Sequence, residues 1–364
     1  MASPLIGRHK SEIDTPALII DLDAMERNIR RMADYFADRP AKLRPHTKTH
    51  KCPIVAHKQI AAGARGITCA KLGEAEVMAS SGIKDILIAN QIIGKEKIAR
   101  LAALARHADV IVAVDDPANA RDLSDAARVF GSEIGVVVEV DVGMGRCGTR
   151  TTGQTVSLAR LLDSLEGLRF RGLMGYEGHC VFIQDRKDQV EKCHLANSML
   201  VEAAEDVRRA GIEVEIVSGG GTGTYDITGS YPGVTEVEAG SYVFMDTRYL
   251  GVIGGFEPAL TVLATVISRP GKDVVITDAG MKTVTQEFGL PALKGVQGAE
   301  LVKLSEEHGQ IQLTGEAANL KPGDKVEFIP SHGCTTINLH DAYFAIRGDR
   351  LEAVWEIAAR GKIR

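Results

Sequence analysis

The chain has 364 residues, 45% hydrophobic and 25% charged, with a formal net charge of -5, the balance of a globular protein long enough for one large domain and a smaller one. Nothing in that charge recommends a nucleic-acid or anionic-membrane partner, and no apolar run approaches the roughly 20 residues of a membrane span. The opening MASPLIGRHKSEID lacks the apolar core of a signal peptide, and the six cysteines, without CxxC spacing, favour reduced thiols and a cytoplasmic setting over a disulfide framework.

Residues 17–21 form a short apolar run with the look of a buried parallel strand, and 22–36 place Leu22, Met25, Ile29, Met32 and Phe36 at helical spacing. The pattern then recurs. Strand-like runs at 66–70, 86–90, 110–114, 135–141, 171–176 and 213–218 alternate with helical patterns at 54–63, 72–81, 95–106, 117–129, 154–165 and 187–210. With the opening strand and the one that leads to Lys48, this makes eight β/α units. Their spacing, roughly 20 to 40 residues, predicts a (β/α)8 barrel in preference to a doubly wound open sheet. From about residue 250 the texture changes to β runs at 259–268, 273–277, 309–314, 325–329, 341–347 and 352–356, separated by Pro/Gly and Gly-Asp turns. The barrel is therefore expected over 16–250. Residues 1–15 and 251–364 are expected to form a second, mostly antiparallel β-rich domain.

Function in a barrel gathers where strands end and helices begin. Four stretches meet that description. Arg44-Pro45-His46-Thr47-Lys48-Thr49-His50-Lys51 concentrates basic and imidazole groups at a strand mouth. A solvated basic loop would carry the same residues, but a lysine desolvated there and flanked by cations acquires a lowered pKa and a nucleophilic amine. Asp141-Val142-Gly143-Met144-Gly145-Arg146-Cys147-Gly148 combines glycines that admit a ligand with the fixed cationic fork of Arg146, and reads equally as a glycine turn with a surface arginine. Ser218-Gly219-Gly220-Gly221-Thr222-Gly223-Thr224 offers a nest of N–H donors suited to phosphate, with neither the spacing of a P-loop nor that of a dinucleotide fingerprint. Finally, His332 and Cys334, two apart in a segment read as extended, point to one side and suit a borderline metal such as Zn2+, although a lone HxC pair serves as well in a core. An activated lysine, a phosphate nest and a ring-facing arginine on one rim point to pyridoxal phosphate.

With these motifs, and with EAGSYVFMD at 238–246, TDAGMK at 277–282, EEHG at 306–309 and PSHGCTTINLHD at 330–341, almost the whole chain resembles the fold-type III pyridoxal enzymes of the alanine racemase class. More narrowly it resembles their metal-activated branch, which contains D-threonine aldolase, D-serine dehydratase and the 3-hydroxyaspartate aldolases and dehydratases. The resemblance implies that Lys48 carries the cofactor and that Arg146 contacts its phenolic oxygen. It places Tyr176 beside the ring and Gly220, Gly221, Thr222 and Tyr242 around the phosphate. It makes His332 and Cys334 the protein ligands of a divalent metal, Mn2+ or Zn2+. Glu238 falls where alanine racemases present an arginine near the pyridine nitrogen.

Two positions depart from the aldolase pattern. Aldolases carry an aspartate where this chain has Cys334, as the dehydratases do. They also carry a histidine where this chain has Phe182, with His179 the nearby candidate base. The activity implied is that of a lyase on D-β-hydroxy-α-amino acids, read as retro-aldol cleavage to glycine and an aldehyde. The alternative is a dehydratase forming ammonia and a 2-oxo acid. A metal-free racemase would leave His332 and Cys334 without a purpose, and a pyridoxal phosphate carrier would not need the second domain. The expected partner set is a small D-amino acid and a second copy of the chain, because in this class the β-rich domain of one chain usually completes the other's site. No nucleic acid or membrane is expected.

Overall fold

The computed structural model describes residues 5–364, so the first four residues of the segment expected over 1–15 lie outside the described part. The chain divides into two compact units. One takes the chain as far as Arg31 together with Ser241–Arg360, and the other takes Met32–Gly240 with the last four residues.

The Met32–Gly240 unit is built on eight parallel strands, Lys42–Leu43, Ile67–Cys69, Asp85–Ile88, Asp109–Val114, Ile134–Glu139, Leu168–Gly175, Ile216–Gly219 and Glu236–Val237. Neighbours in sequence are neighbours in the sheet, and Lys42–Leu43 lies beside Glu236–Val237. The remaining seam is closed by an isolated parallel bridge between His46 and Thr68. There the Thr68 amide donates to the Pro45 carbonyl at 2.9 Å and the Thr47 amide to the Thr68 carbonyl at 2.8 Å. The sheet is therefore a closed barrel, as expected. Val110 to Val114 and Val136 to Val138 are wholly buried, which is what strands covered on both faces require. The helices between the strands lie at Pro53–Ala61, Leu72–Ser80, Lys95–Leu104, Pro117–Phe130, Thr152–Ser164 and Arg186–Arg209, within a few residues of the expected patterns. Asp116 caps one of them by accepting the amides of Ala118 and Asn119, and Gly131 ends it in the left-handed conformation.

One expectation fails. The opening strand, Ala17–Asp21, is not a barrel strand. It pairs antiparallel with Leu260–Ser268 and parallel with Ala342–Arg347, inside a nine-stranded and otherwise antiparallel sheet. Its run is apolar on both faces, and nearly all of it is buried, so its composition suits the middle of either sheet. The eighth barrel strand is instead Glu236–Val237, too short to leave a periodic trace. The β-rich unit holds the other expected strands and adds Ala292–Leu293 and Ala299–Leu304.

Charge is arranged across the starts of the barrel strands. Arg44, fully buried, donates to Glu236 from Nε at 2.7 Å and from Nη2 at 3.0 Å, and also pairs with Asp85. Glu236 meets Arg65 at 3.2 Å, Arg65 meets Glu215 at 2.7 Å, and Arg171 joins Glu215 at 2.6 Å to Asp109 at 3.2 Å. Arg44 and Arg171 are held more firmly protonated by these carboxylates than an isolated guanidinium would be. Removing one member of a buried ion pair strands its partner's charge, at a cost of about 3–5 kcal/mol. Arg44→Leu should therefore lower the urea-unfolding free energy by about 3–5 kcal/mol, with the Arg44→Leu, Glu236→Leu double variant recovering part of the loss. A loss below about 1 kcal/mol in the single variant would show that the lattice is not a structural tie.

Candidate active site

Beyond the Lys42–Leu43 strand the chain turns at 47–50, and Lys48 is exposed while 43–47 and 49–52 are buried or nearly so. Thr47 anchors this turn. Its hydroxyl donates to Glu74 Oε1 at 2.7 Å, and the other oxygen of that wholly buried carboxylate accepts the Ala70 amide at 2.8 Å. The expected desolvation of this lysine is not what results. Burial, first, then the nearby Lys48 and Lys51 ammoniums, hold His46 well below the usual imidazole range, and burial brings His50 down to about 3. The lysine thus stands in the open between neutral imidazoles.

Lys48 Nζ lies 5.7 Å from the centre of the Tyr176 ring, and the Arg146 guanidinium carbon lies 5.8 Å from the same centre. Arg146 is steadied by Glu139 at 3.5 Å, whose other oxygen accepts from Gln91 Nε2 at 2.6 Å. Burial raises the Glu139 carboxyl above the ordinary carboxylate range against the pull of these two partners. The loop that carries Arg146 is wound round Asp141, which accepts the amides of Gly143 at 3.3 Å and Gly145 at 2.9 Å. Gly143 adopts φ +110°, and a Cβ there would lie 3.3 Å from Cε1 and Nε2 of His179. The exposed His179 ring therefore rests on the same loop. Phe182 lies half-buried two residues beyond the turn Gly178–Cys180.

The third wall is the glycine stretch. A Cβ on Gly221 would stand 3.3 Å from Tyr176 Cε2, so the loop passes directly against the ring that Lys48 and Arg146 approach. The residue that shapes it is Glu177, which sequence reading missed. Fully buried, its carboxylate accepts the Gly220 amide at 2.9 Å and the hydroxyls of Thr224 at 2.8 Å and Thr228 at 2.6 Å. The Gly221 amide donates to Thr224 Oγ1 at 3.1 Å. The amides of Gly220 and Gly221 thus hold the loop's own shape, and Thr222 is buried beside them. A carboxylate at the end of a buried strand, between Tyr176 and Gly178, was the available signal.

Glu238 follows the last strand. It accepts a 2.7 Å hydrogen bond from Ser218 Oγ. Burial, the largest influence, and the negative Glu236 push its carboxyl up to about 7, while Ser218, Lys48 and Arg44 oppose the shift.

Three expected site residues belong to the β-rich unit. Tyr242 is fully buried, with its ring 6.1 Å from that of Phe256. His332 precedes a short helix, Gly333–Ile337, so His332 and Cys334 do not sit in an extended strand. The Gly333 amide donates to Asp246 Oδ2 at 3.0 Å, and Cys334 Sγ lies 3.9 Å from Ser241 Oγ. The imidazole and thiol suit a borderline cation. Among the described residues no three His, Cys, Asp or Glu side chains assemble as a metal-holding group. His332 and Cys334 flank Gly333 at the start of this helix and offer the donor types such a cation takes. Pyridoxal phosphate fits the barrel residues on their own chemistry: an exposed amine, an arginine and a tight glycine loop on one aromatic ring, with a protonatable carboxyl on the neighbouring strand end.

Because Glu238 titrates higher in the fold than in the unfolded chain, it favours the fold below its ordinary pKa, and that advantage is lost as pH rises through about 7. In the cofactor-free protein, Glu238→Gln should gain on the parent by up to about 3 kcal/mol between pH 4.5 and pH 8. Parallel pH profiles of urea unfolding would contradict this assignment.

Residues 20–248 match the alanine racemase N-terminal domain family, and residues 259–346 match a serine dehydratase domain family. The chain is 40% identical to the D-threonine aldolase of an Arthrobacter species and 38% identical to the 3-hydroxy-D-aspartate aldolase of Paracoccus denitrificans, in each case over 98% of this chain and 95% of the relative. The crystal structure of D-threonine aldolase from Filomicrobium marinum superposes with a TM-score of 0.96 at 37% identity, covering 99% of both chains. A cysteine-to-alanine mutant of D-threo-3-hydroxyaspartate dehydratase, in the metal-free form, superposes at 0.87 with 31% identity, covering 96% of this chain and 98% of that one. The chain therefore belongs to the D-threonine aldolase and D-serine dehydratase-like family of fold-type III pyridoxal phosphate enzymes, with the alanine racemase-type fold.

Proposed function

We propose that this protein is a lyase that cleaves D-β-hydroxy-α-amino acids to glycine and an aldehyde. The observation that carries the reading is the convergence of Lys48, Arg146 and Gly221 on the ring of Tyr176, in a chain of this family. Aldol cleavage is favoured over dehydration because the aldolases compared are 37–40% identical to this chain and the dehydratase structure 31%.

When bound, pyridoxal phosphate supplies a carbonyl for the substrate amine and a conjugated ring that takes up the electron pair released at Cα. The Lys48 amine holds the cofactor and, being exposed, is open to exchange with the substrate amine. Arg146, braced by Glu139, fixes the ring's oxygen edge, and Tyr176 packs beside it. By resemblance to the family the phosphate is assigned to Thr222 and to the loop at Gly220 and Gly221, whose own two amides are engaged within the loop, and Tyr242 is assigned to it on the same ground. Glu238, with a carboxyl poised near pH 7, holds a proton toward the ring nitrogen. His332 and Cys334 would hold Mn2+ or Zn2+, whose Lewis acidity would favour loss of a hydroxyl proton, and the exposed imidazole of His179 is the group placed to take up a proton at its ring. The metal reading draws support from the family and from the metal-free form of the dehydratase mutant in which a cysteine is replaced by alanine. The chain acts on small D-amino acids, in the cytoplasm, as a homodimer.

Purified protein supplied with pyridoxal phosphate and Mn2+ or Zn2+ should convert D-threonine to glycine and acetaldehyde, or D-3-hydroxyaspartate to glycine and glyoxylate. Chelation should abolish turnover and added cation restore it. Ammonia with a 2-oxo acid, from these substrates or D-serine, would instead establish the dehydratase, and full activity after chelation would remove the metal from the account.

A further inference from the structure

The short helix that carries His332 and Cys334 is stitched to a second segment of the same β-rich unit. Thr285 provides the stitches: its hydroxyl lies 2.8 Å from Thr335 Oγ1 and 3.1 Å from Thr336 Oγ1, its amide donates to Thr336 Oγ1 at 3.2 Å, and its carbonyl accepts from Ser331 Oγ at 3.3 Å. Two residues further on, Glu287 places Oε1 against His332 Nδ1. The next residue, Phe288, lays its ring 4.8 Å from the imidazole at 32° between planes, and Arg248 sits 5.7 Å from the Phe288 ring centre. From the other side Asp246 holds the Gly333 amide. The imidazole is thus gripped at one nitrogen by Glu287 and on one face by the adjacent Phe288.

We infer that Glu287 is a positioning residue for the metal centre: it accepts the Nδ1 proton of His332 and so assigns ligation of the divalent cation to Nε2. A ligating histidine has two inequivalent nitrogens, and the hydrogen bond made by one decides which of them is the ligand. A carboxylate partner also raises the basicity of the ligating nitrogen. Phe288 keeps the ring from rotating out of that orientation. Glu287 itself is 40% exposed at its side chain, so its place is explained by what it does to His332 and not by burial. This inference rests on the reading of His332 and Cys334 as metal ligands.

The test is a calorimetric titration of Mn2+, and separately of Zn2+, into metal-stripped, pyridoxal-phosphate-loaded protein. Glu287→Ala should weaken cation binding by about 10–100-fold. Glu287→Gln keeps an oxygen acceptor for Nδ1–H and should stay within a few-fold of the parent. The melting temperature of the metal-free protein should be unchanged in both variants. Equal cation affinity in Glu287→Ala and the parent would overturn the inference. So would a Glu287→Gln variant as weak as Glu287→Ala, which would make Glu287 a direct ligand. A fall in the metal-free melting temperature alongside the weaker binding would make its role structural and overturn the inference as well. If the parent binds neither cation, the reading of His332 and Cys334 falls first, and the inference with it.

Discussion

A barrel exists only if its first strand finds its last, and here that seam runs through four residues. Between Arg44 and Thr47 on one side and Thr68 on the other, the backbone exchanges two hydrogen bonds, and the Thr68 hydroxyl adds one at 3.1 Å to the Arg44 carbonyl. The same seam delivers Arg44 into the buried ion lattice and, four residues on, puts Lys48 at the rim. Closing the sheet and presenting the amine are one structural event. A side chain that loosened Thr47 would be felt at Lys48 before it was felt elsewhere.

Around that seam the barrel separates two kinds of polarity. At the strand starts, arginines and carboxylates neutralise one another in a connected lattice whose value is to hold eight short strands in register. At the strand ends, two buried carboxylates are instead held mainly by neutral hydrogen-bond donors. Glu177 is satisfied by one amide and two hydroxyls rather than by a cation, and Glu238 by a hydroxyl. Buried carboxylates held without a hydrogen-bonded cation are costly, and Glu177 carries that cost immediately beside Tyr176 to shape the glycine loop. Glu74 follows the same rule beneath the lysine turn, with one hydroxyl and one amide.

Much of this was legible in the residues. Seven of the eight barrel strands came through their apolar runs or the position of Lys48, and the helices came through their periodicity, because both are properties of a few neighbouring residues. The failures share a cause. Residues 17–21 are apolar on both faces, so nothing local says which sheet they enter, and Glu236–Val237 is too short to show alternation. The three site stretches of the barrel were found because strand ends announce themselves with glycine and charge. The partners that give those stretches their geometry were not, because Glu177 acts on residues 43, 47 and 51 positions away and Glu287 on one 45 positions away. The extended geometry expected at His332 and Cys334 gave way to a short helix for the same reason: Asp246, far off in sequence, claims the Gly333 amide.

The central claim is that the exposed lysine at the barrel seam carries the cofactor. Borohydride reduction of the pyridoxal-phosphate-loaded protein, followed by peptide mass mapping, tests it without reference to any substrate. The account predicts one stable phosphopyridoxyl group per chain, on Lys48, with loss of the long-wavelength absorbance in Lys48→Ala. A label on Lys51 or on any other lysine, with Lys48 unmodified, would contradict it.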